Sequence, residues 1–271
     1  MYKVIVCDLD DTLIRSDKTI STKDIETITK AKNKGIKFVP ATGRGFFQIN
    51  DILKSLNLYD EPNEYVISFN GGVISENKNN RIIHFEGIPF EKARELLSRG
   101  LDYDVCIHVY TMENVYLFRF NDIERGFLTN MDNKIVMSDN TIDFLKGKEF
   151  VKALYMNQDR NYLQRIEKDL SDVLFDMDVS YSSNRYIEFN HKGVNKGEGL
   201  HKLAEILKVD VKEIIAIGDN LNDLSMIKEA GLGIGVKNTV PDMIEYCDFI
   251  TEATHNESAV SEVIEKFIFN N

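Results

Sequence analysis

The sequence predicts an α/β fold in which a doubly wound parallel sheet carries an inserted α+β domain. Short apolar runs alternate with helical segments in the first and last thirds of the chain, which is typical of βαβ units. Between about 81 and 190 the pattern changes to alternating strand segments mixed with helices. We therefore expect residues 1-82 and 189-271 to form one core domain and residues 83-188 to form the inserted domain.

The elements of the first third follow from apolar runs and helix-end signals. Side chains on a strand alternate between its faces, so Cys7, in the apolar run that opens the chain, is expected to pack in the core. Ser21 followed by Asp24 is typical of a helix start, and Gly35 ends that helix. The expected strands are 4–7, 36–40 and 65–69, and the expected helices are 25–33 and 46–56.

A turn signal follows the third strand, and the later elements follow the same logic. Asn70-Gly71-Gly72 favours positive φ, which predicts a tight turn and is compatible with a role in a functional site. In the inserted domain we expect strands at 106–110 and 115–120 and helices at 90–99 and 160–170. In the last third the expected elements are a helix at 195–207, a strand at 214–217, a helix at 221–230, a strand at 232–236 and a helix at 257–267.

Composition excludes several classes of function. The net charge is -11 and no dense basic cluster occurs, so a nucleic-acid surface is not expected. The apolar runs are strand-sized, which predicts no membrane span, and no signal-peptide pattern opens the chain, so we expect a cytoplasmic protein. Three widely spaced cysteines fit reduced thiols, and the histidines show no zinc-binding spacing.

Acidic residues follow two of the apolar runs at the point where each strand should end. Asp8, Asp10 and Asp11 follow the first strand, and Asp219 and Asp223 follow the strand at 214–217. An acidic solvated turn would explain either segment alone. If the two strands are neighbours in one parallel sheet, these carboxylates converge and need a cation, and oxygen ligands without His or Cys favour Mg²⁺.

Hydroxyl and cationic residues complete the pattern. Thr42 and Arg44 follow the second strand, and Lys196 opens a helix. Each charged residue alone is more often a surface group than a ligand. Together with Mg²⁺ these groups would surround a tetrahedral anion, best interpreted as a phosphoryl group.

These motifs resemble a known family. The ordered set is Asp8-x-Asp10-x-Thr12, Thr42-Gly43-Arg44, Lys196 and Gly218-Asp219-x-x-Asn222-Asp223, and it resembles the four motifs of the haloacid dehalogenase (HAD) superfamily. The long insertion between the second and third motifs is similar to that of the Cof-type hydrolases, whose α/β cap of type IIB lies there. His191 departs from the proline that such proteins often carry near the third motif. The resemblance implies a Rossmann-like core with an inserted cap.

The resemblance also implies roles for individual residues. Asp8 would attack phosphorus and form an aspartyl-phosphate, and Asp10 would protonate the leaving oxygen and later activate water. Asp8, the backbone carbonyl of Asp10 and Asp219 would hold Mg²⁺, with Asp223 close by. The expected phosphate-binding groups are the backbone N–H of Leu9, then Thr42, Gly43, Arg44, Lys196 and Asn222, with Asn70 and Gly71 on a third loop.

The expected function is Mg²⁺-dependent hydrolysis of a small phosphorylated metabolite, such as a sugar phosphate, flavin mononucleotide or pyridoxal phosphate. Alternatives within the superfamily are a sugar-phosphate mutase, a sucrose-phosphate-type phosphatase and a catalytically silent phosphate binder. A phospho-receiver fits poorly, because a receiver is about half this length. Gly231, Gly233 and Gly235 lie along a strand, which disfavours a dinucleotide site. Arg119, Tyr116 and Tyr186 of the insert are given no role, and the sequence does not indicate an oligomeric state.

Overall fold

The computed structural model describes residues 1–129, 131 and 133–270, and these form two compact units. The first unit comprises Met1–Phe85 and the described residues from Asn195 onward, and the second comprises Glu86–Val194. The strands, numbered in chain order, are β1 (Val4–Asp8), β2 (Lys37–Ala41), β3 (Tyr65–Ser68), β4 (Val73–Glu76), β5 (Arg81–Phe85), β6 (Cys106–Thr111), β7 (Val115–Phe118), β8 (Lys134–Val136), β9 (Phe150–Met156), β10 (Met177–Ser182), β11 (Tyr186–His191), β12 (Ile214–Gly218), β13 (Leu232–Gly235) and β14 (Phe249–Ile250). The α-helices are α1 (Thr22–Asn33), α2 (Asn50–Ser55), α3 (Phe90–Gly100), α4 (Asp122–Phe127), α5 (Arg160–Asp169), α6 (Ser171–Leu174), α7 (Lys196–Leu207), α8 (Leu224–Glu229), α9 (Pro241–Ile244) and α10 (Ala259–Ile264).

The first unit is built on one eight-stranded sheet with the order β14-β13-β12-β1-β2-β3-β4-β5. The strands from β14 to β3 are parallel to their neighbours, and β4 and β5 add antiparallel pairings at one edge. β1 therefore lies between β12 and β2, which bear the acidic and hydroxyl motifs of the sequence. The doubly wound parallel sheet expected from the βαβ pattern is confirmed.

Strand alternation explains why helices cover both faces of this sheet. Ile5 and Cys7 of β1 belong to a buried apolar cluster with residues of α1, α2 and α10, whereas Val4 and Val6 belong to a second cluster with residues of α7 and α8. Successive side chains of a strand point to opposite faces, so one short apolar run contributes to two hydrophobic layers. Cys7 is a free, fully buried thiol, as the sequence predicts.

The terminal helix expected at 257–267 consists of α10 followed by a π-helical turn at Glu265–Phe269, and two other expected helices begin with a 3-10 turn. The segment 46–56 forms a 3-10 turn at Phe46–Gln48 and then α2, because Ile49 leaves helical geometry at φ -115°. The segment 221–230 forms a 3-10 turn at Leu221–Asp223 before α8, and the side chain of Asp223 turns back onto the preceding loop. In both places a local side-chain or backbone constraint replaces the first helical turn.

The second unit is an α+β layer structure. Its six-stranded sheet has the order β10-β11-β9-β6-β7-β8, and its pairings are antiparallel except for β7 with β8. Leu96 of α3 and Leu163 of α5 pack on the same buried cluster as Ile107, Tyr155 and Phe189 of the sheet. In the described part of the chain, no helix has the length and apolar character required to cross a membrane.

The close packing around Gly71, in the turn after β3, predicts that replacing it costs more stability than replacing Gly35. Gly71 has φ +103°, and a Cβ there would lie 2.2 Å from the carbonyl oxygen of Asn195, whereas Gly35 has φ +86° with no atom within 4 Å of such a Cβ. We expect Gly35→Ala to lower the free energy of unfolding by about 1 kcal/mol through backbone strain alone. Gly71→Ala should lower it clearly further, because the backbone before Lys196 must also move. Urea denaturation of both variants measures the difference, and equal losses would contradict the close approach.

Candidate active site

The two acidic segments lie side by side at one edge of the first sheet. β1 ends at Asp8, and its parallel neighbour β12 ends at Gly218, directly before Asp219. On the other side, β2 ends at Ala41, which pairs with Asp8 and precedes Thr42. Because the carboxyl ends of parallel strands meet at the same edge, ligands of such sheets bind there.

Three carboxylates and one ammonium group form a buried cluster at this edge. Oxygens of Asp8, Asp219 and Asp223 all lie within 4.8 Å of one another, and none of these residues is more than 7% exposed. Lys196 is fully buried, and its Nζ lies 2.5 Å from Oδ1 of Asp8 and 2.5 Å from Oδ1 of Asp223. With all four ionised, three negative charges and one positive charge leave a net charge of -2 among buried side chains. A divalent cation would neutralise this excess.

The pKa values express the same imbalance. Burial and then the charge of Asp223 raise the pKa of Asp8 well above its usual range, although Lys196 opposes them. Burial and then Asp223 raise the pKa of Asp219 to about 7, against the hydrogen bond from Thr12. Burial by itself would lower the pKa of Lys196, but Asp223 and Asp8 together raise it above its ordinary value. Lys196 therefore stays protonated, and the carboxylates compete for its single positive charge.

Asp223 is fixed by the backbone of the loop that precedes it. Its Oδ2 accepts the N–H groups of Asp219 at 2.9 Å and Asn220 at 3.1 Å, while Oδ1 accepts from Lys196. A Cβ at Gly218 would lie 2.5 Å from Cβ of Asp223, so only glycine allows the carboxylate this position. This contact gives a physical reason for the Gly-Asp-x-x-Asn-Asp spacing.

Asp10 lies outside the carboxylate cluster and pairs with Arg44. Arg44 Nε donates to Oδ2 of Asp10 at 2.8 Å, and Arg44 Nη2 donates to Oδ1 of the same carboxylate. The side chains of both residues are partly exposed. The guanidinium expected to bind phosphate is thus directed at the second acid of the first motif.

The second-strand loop and the third loop are joined through their backbones. Thr42 is buried, its N–H donates to Ile67 O at 2.9 Å, and its carbonyl accepts the N–H of Asn70 at 3.0 Å. Asn70 adopts a left-handed conformation with φ 56°, and a Cβ at Gly43 would lie 3.1 Å from Asn70 Oδ1. The hairpin turn predicted after β3 therefore also contacts the loop that contains Thr42.

The remaining expected phosphate-binding residues lie on the same strand ends. Leu9 is buried directly after β1, and its carbonyl accepts the N–H groups of Leu13 and Ile14. Asn222 is half-buried within the turn that precedes α8. Lys196 is the first residue of α7, and the side chain of Asn195 caps that helix by accepting the N–H of Glu198 at 3.0 Å.

Comparison with known proteins identifies the family. A family model described as haloacid dehalogenase-like hydrolase matches residues 5–264. The chain belongs to the haloacid dehalogenase-like hydrolases. The resemblance to the Cof type seen in the sequence is confirmed over nearly the whole chain.

This hydrolase is similar to curated and solved relatives over nearly its whole length. It is 27% identical to the 5-amino-6-(5-phospho-D-ribitylamino)uracil phosphatase YcsE of Bacillus subtilis, covering 98% of this chain and 96% of the relative. It is also 27% identical to the phosphatase YwpJ of the same organism, covering 98% of this chain and all of the relative. A crystal structure of a haloacid dehalogenase-like hydrolase from Bacteroides thetaiotaomicron matches with a TM-score of 0.85 and 30% identity, covering 98% and 99% of the two chains. These matches place the hydrolase among the phosphatases of its family.

Thr12 is a site residue whose role the sequence reasoning missed. It is buried, and its hydroxyl donates to Oδ1 of Asp219 at 2.8 Å. The signal was present in the pattern Asp8-x-Asp10-x-Thr12, but the sequence does not show that a hydroxyl four residues after Asp8 reaches the loop after β12. Thr12 orients Asp219 and thereby links the two acidic segments.

A second group of buried charges in the inserted unit was also not predicted. Lys152 of β9 forms an ion pair with Glu188 of β11, and Ser182 of β10 donates to the same carboxylate. Lys152 is 2% exposed and Glu188 is 4% exposed. The single positive and single negative charge balance, so this cluster differs from the surplus of acids in the first unit.

A neighbouring polar cluster joins α4 to the same sheet. Glu124 Oε1 lies 3.2 Å from Nε2 of His108 and accepts a hydrogen bond from Tyr186 Oη at 2.6 Å. Burial would raise the pKa of Glu124, but His108 and then Tyr186 lower it below its usual value. The other two insert residues considered from the sequence pack locally: Arg119 donates to Tyr103 O at 2.6 Å, and Tyr116 contacts Phe144 edge to face.

The raised pKa of Asp219 predicts a pH dependence of stability in metal-chelating buffer. Its folded pKa of about 7 lies above its ordinary 3.8, so the native state binds more protons than the unfolded state between these values. Stability from this residue is therefore present below about pH 4 and lost as the pH rises through 7, on the order of a few kcal/mol. Urea denaturation at low and neutral pH measures the free energy of unfolding. Between these pH values it should fall more for the wild type than for Asp219→Asn. The exposed Asp51→Asn serves as the control, and parallel slopes for all three proteins would contradict the shift.

The buried Lys152–Glu188 pair predicts that replacing one partner costs more stability than replacing both. Lys152→Met leaves Glu188 buried without its cation and should lower the free energy of unfolding by roughly 3–5 kcal/mol. The double variant Lys152→Met with Glu188→Leu should be less destabilised than the single variant, because no unpaired charge remains. Denaturant titration of the two variants measures this. A double variant that is less stable than Lys152→Met would contradict this expectation, because it would show that Glu188 stabilises the sheet even without Lys152.

Proposed function

We propose that this HAD-family phosphatase is a Mg²⁺-dependent enzyme that hydrolyses a small phosphorylated metabolite, a sugar phosphate or a phosphorylated cofactor, through an aspartyl-phosphate on Asp8. The observation that carries the proposal is the cluster of Asp8, Asp219 and Asp223 around Lys196 at the carboxyl edge of the sheet. A buried excess of carboxylates is unfavourable for stability alone, so it favours a binding or catalytic role.

The residues of the cluster fit a magnesium ion. Hard oxygen donors and a net negative charge are what Mg²⁺ requires. Asp8, Asp219 and the backbone carbonyl of Asp10 would hold the ion, with Asp223 close by. When bound, it would supply positive charge that offsets the repulsion between the Asp8 carboxylate and a phosphate dianion.

Asp8 is the proposed nucleophile. Lys196 binds Oδ1 of Asp8 and fixes the carboxylate at the end of β1. One Asp8 oxygen forms a bond to phosphorus while the bond from phosphorus to the leaving oxygen breaks, and that oxygen takes a proton from the Asp10 carboxyl. Water then attacks the aspartyl-phosphate, Asp10 accepts its proton, and phosphate and free Asp8 are released.

The phosphoryl oxygens are proposed to bind at the loops beside β1. Thr42 accepts the N–H of Arg44 at its Oγ, which leaves its hydroxyl hydrogen to donate to a phosphate oxygen. The backbone N–H of Leu9, together with Gly43, Lys196 and Asn222, is proposed to supply the remaining donors. Such donors stabilise the charge that develops on the transferring group.

The relatives support the class of substrate and leave its identity open. YcsE, at 27% identity, is named for a phosphatase activity on a small phosphorylated compound. Its name supports the proposal that this chain acts on a small phosphorylated molecule.

The proposed function predicts phosphate release that depends on both Mg²⁺ and Asp8. The assay uses a panel of sugar phosphates, nucleotides, flavin mononucleotide, pyridoxal phosphate and p-nitrophenyl phosphate. Asp8→Asn is near-isosteric and removes the nucleophile, so turnover should fall by at least about 10³-fold while the circular dichroism spectrum stays unchanged. Excess chelator should abolish release, and added Mg²⁺ should restore it.

Asp51→Asn is the matched control, because it makes the same substitution at a solvent-exposed carboxylate of the same unit. Wild-type turnover in Asp8→Asn would reject the nucleophile, and hydrolysis in chelator would reject the metal. No release from any substrate would favour a mutase or a silent binder instead.

A further inference from the structure

Asp10 is held by a two-point contact. The carboxylate accepts Arg44 Nε at Oδ2, at 2.8 Å, and Arg44 Nη2 at Oδ1, so the planar guanidinium fixes the plane of the carboxylate. The side chains of Arg44 and Asp10 are 35% and 42% exposed. Burial therefore does not force the pairing, and the forked geometry is what distinguishes it from an ordinary surface ion pair.

Arg44 is itself anchored by the backbone of the site. Its N–H donates to Thr42 Oγ1 at 3.1 Å, and its carbonyl accepts the N–H of Phe69 at 3.0 Å. Thr42 and Phe69 belong to the two loops that follow β2 and β3. The backbone N–H and the carbonyl of Arg44 are thus both hydrogen-bonded, which fixes the position from which its side chain extends.

The backbone of Asp10 forms an isolated bridge with Ile14, and its carboxylate is oriented by the contact with Arg44. It follows β1 in a loop where the next residue, Asp11, has a left-handed conformation with φ 59°. Asp8, in contrast, is the last residue of a central strand and is bound by Lys196. A proton donor must lie within hydrogen-bond reach of the leaving oxygen, so an acid on a loop needs an external group to orient it.

We propose that Arg44 is a positioning residue that orients the carboxyl group of Asp10 for proton transfer, rather than a ligand of the phosphoryl group. This inference rests on the proposed function, because Asp10 is the acid of the proposed reaction. Each carboxyl oxygen can accept one bond from Arg44 and still has a second site, so the oxygen that carries the proton can face the leaving group while the two-point contact is kept. The proton then passes from that oxygen to the leaving oxygen as the bond to phosphorus breaks.

The two roles for Arg44 predict different kinetic signatures. A phosphate ligand contacts a group common to all substrates, so its loss weakens the binding of every phosphomonoester and of inorganic phosphate. A residue that positions the acid affects only the step in which the leaving oxygen is protonated. An alkyl phosphate needs that proton far more than p-nitrophenyl phosphate, whose leaving group is stable as an anion.

The test compares Arg44→Gln with a control, Arg15→Gln, in the same unit. The side chain of Arg15 is 37% exposed, and its Nη1 lies 3.6 Å from Oδ2 of Asp17. For the best alkyl phosphate of the panel, Arg44→Gln should lower kcat by about 10²-fold with little change in KM. The loss with p-nitrophenyl phosphate should be much smaller, and the inhibition constant of inorganic phosphate should stay near the wild-type value. Arg15→Gln should match the wild type throughout.

Two further variants sharpen the assignment. Arg44→Lys keeps the charge but not the fork, so it should not restore kcat on the alkyl phosphate. Asp10→Asn should show the same leaving-group dependence, and Arg44→Gln combined with Asp10→Asn should be no slower than Asp10→Asn alone, since both changes remove one function.

The outcomes separate this inference from the proposed function. Equal losses on alkyl and aryl substrates with weaker phosphate inhibition would overturn positioning and make Arg44 a phosphate ligand. An active Arg44→Gln enzyme with unchanged kcat on both substrates would overturn it as well. A wild type that releases no phosphate from any substrate would instead overturn the proposed function, and the positioning role with it.

Discussion

The ion pairs of Lys196 with Asp8 and Asp223 are the interactions on which the site depends. One ammonium group, 0% exposed, joins the end of β1 to the turn after β12 through two carboxylates. Removing Lys196 would be strongly unfavourable, because it would leave Asp8 and Asp223 buried without a cation. Lys196 is also the first residue of α7, so the position of that helix and the geometry of the carboxylates are set together.

Charge balance distinguishes the buried Lys152–Glu188 pair of the second unit from the buried cluster around Lys196. Lys152 and Glu188 in the second unit cancel in charge, and Ser182 adds a hydrogen bond to the carboxylate. Asp8, Asp219, Asp223 and Lys196 do not cancel, and burial and mutual repulsion raise the pKa of Asp8 and of Asp219. A satisfied buried pair is consistent with a structural role, whereas an unsatisfied one stores electrostatic energy that a cation or an incoming group can release.

Close backbone packing gives the site its shape. Gly218 leaves room for Asp223, and Gly71 leaves room for the carbonyl of Asn195 immediately before Lys196. The hydrogen bond from Thr12 to Asp219 joins the loops after β1 and β12. The hydrogen bond from Asn70 to Thr42 joins the loops after β3 and β2. The residues of the candidate site thus come from the ends of several strands, the loops after them and the first turn of α7.

The sequence by itself determined the βαβ core, the acid-bearing strand ends and the family, because apolar periodicity and motif order are local properties of the chain. Only the tertiary structure decided that Thr12 reaches Asp219, that Arg44 faces Asp10 and that Lys152 meets Glu188. These contacts join residues on different strands and loops, and side-chain direction across a sheet depends on register, which the sequence pattern leaves open. The short helix after Leu221 has a local origin instead, since the side chain of Asp223 accepts the N–H groups of Asp219 and Asn220.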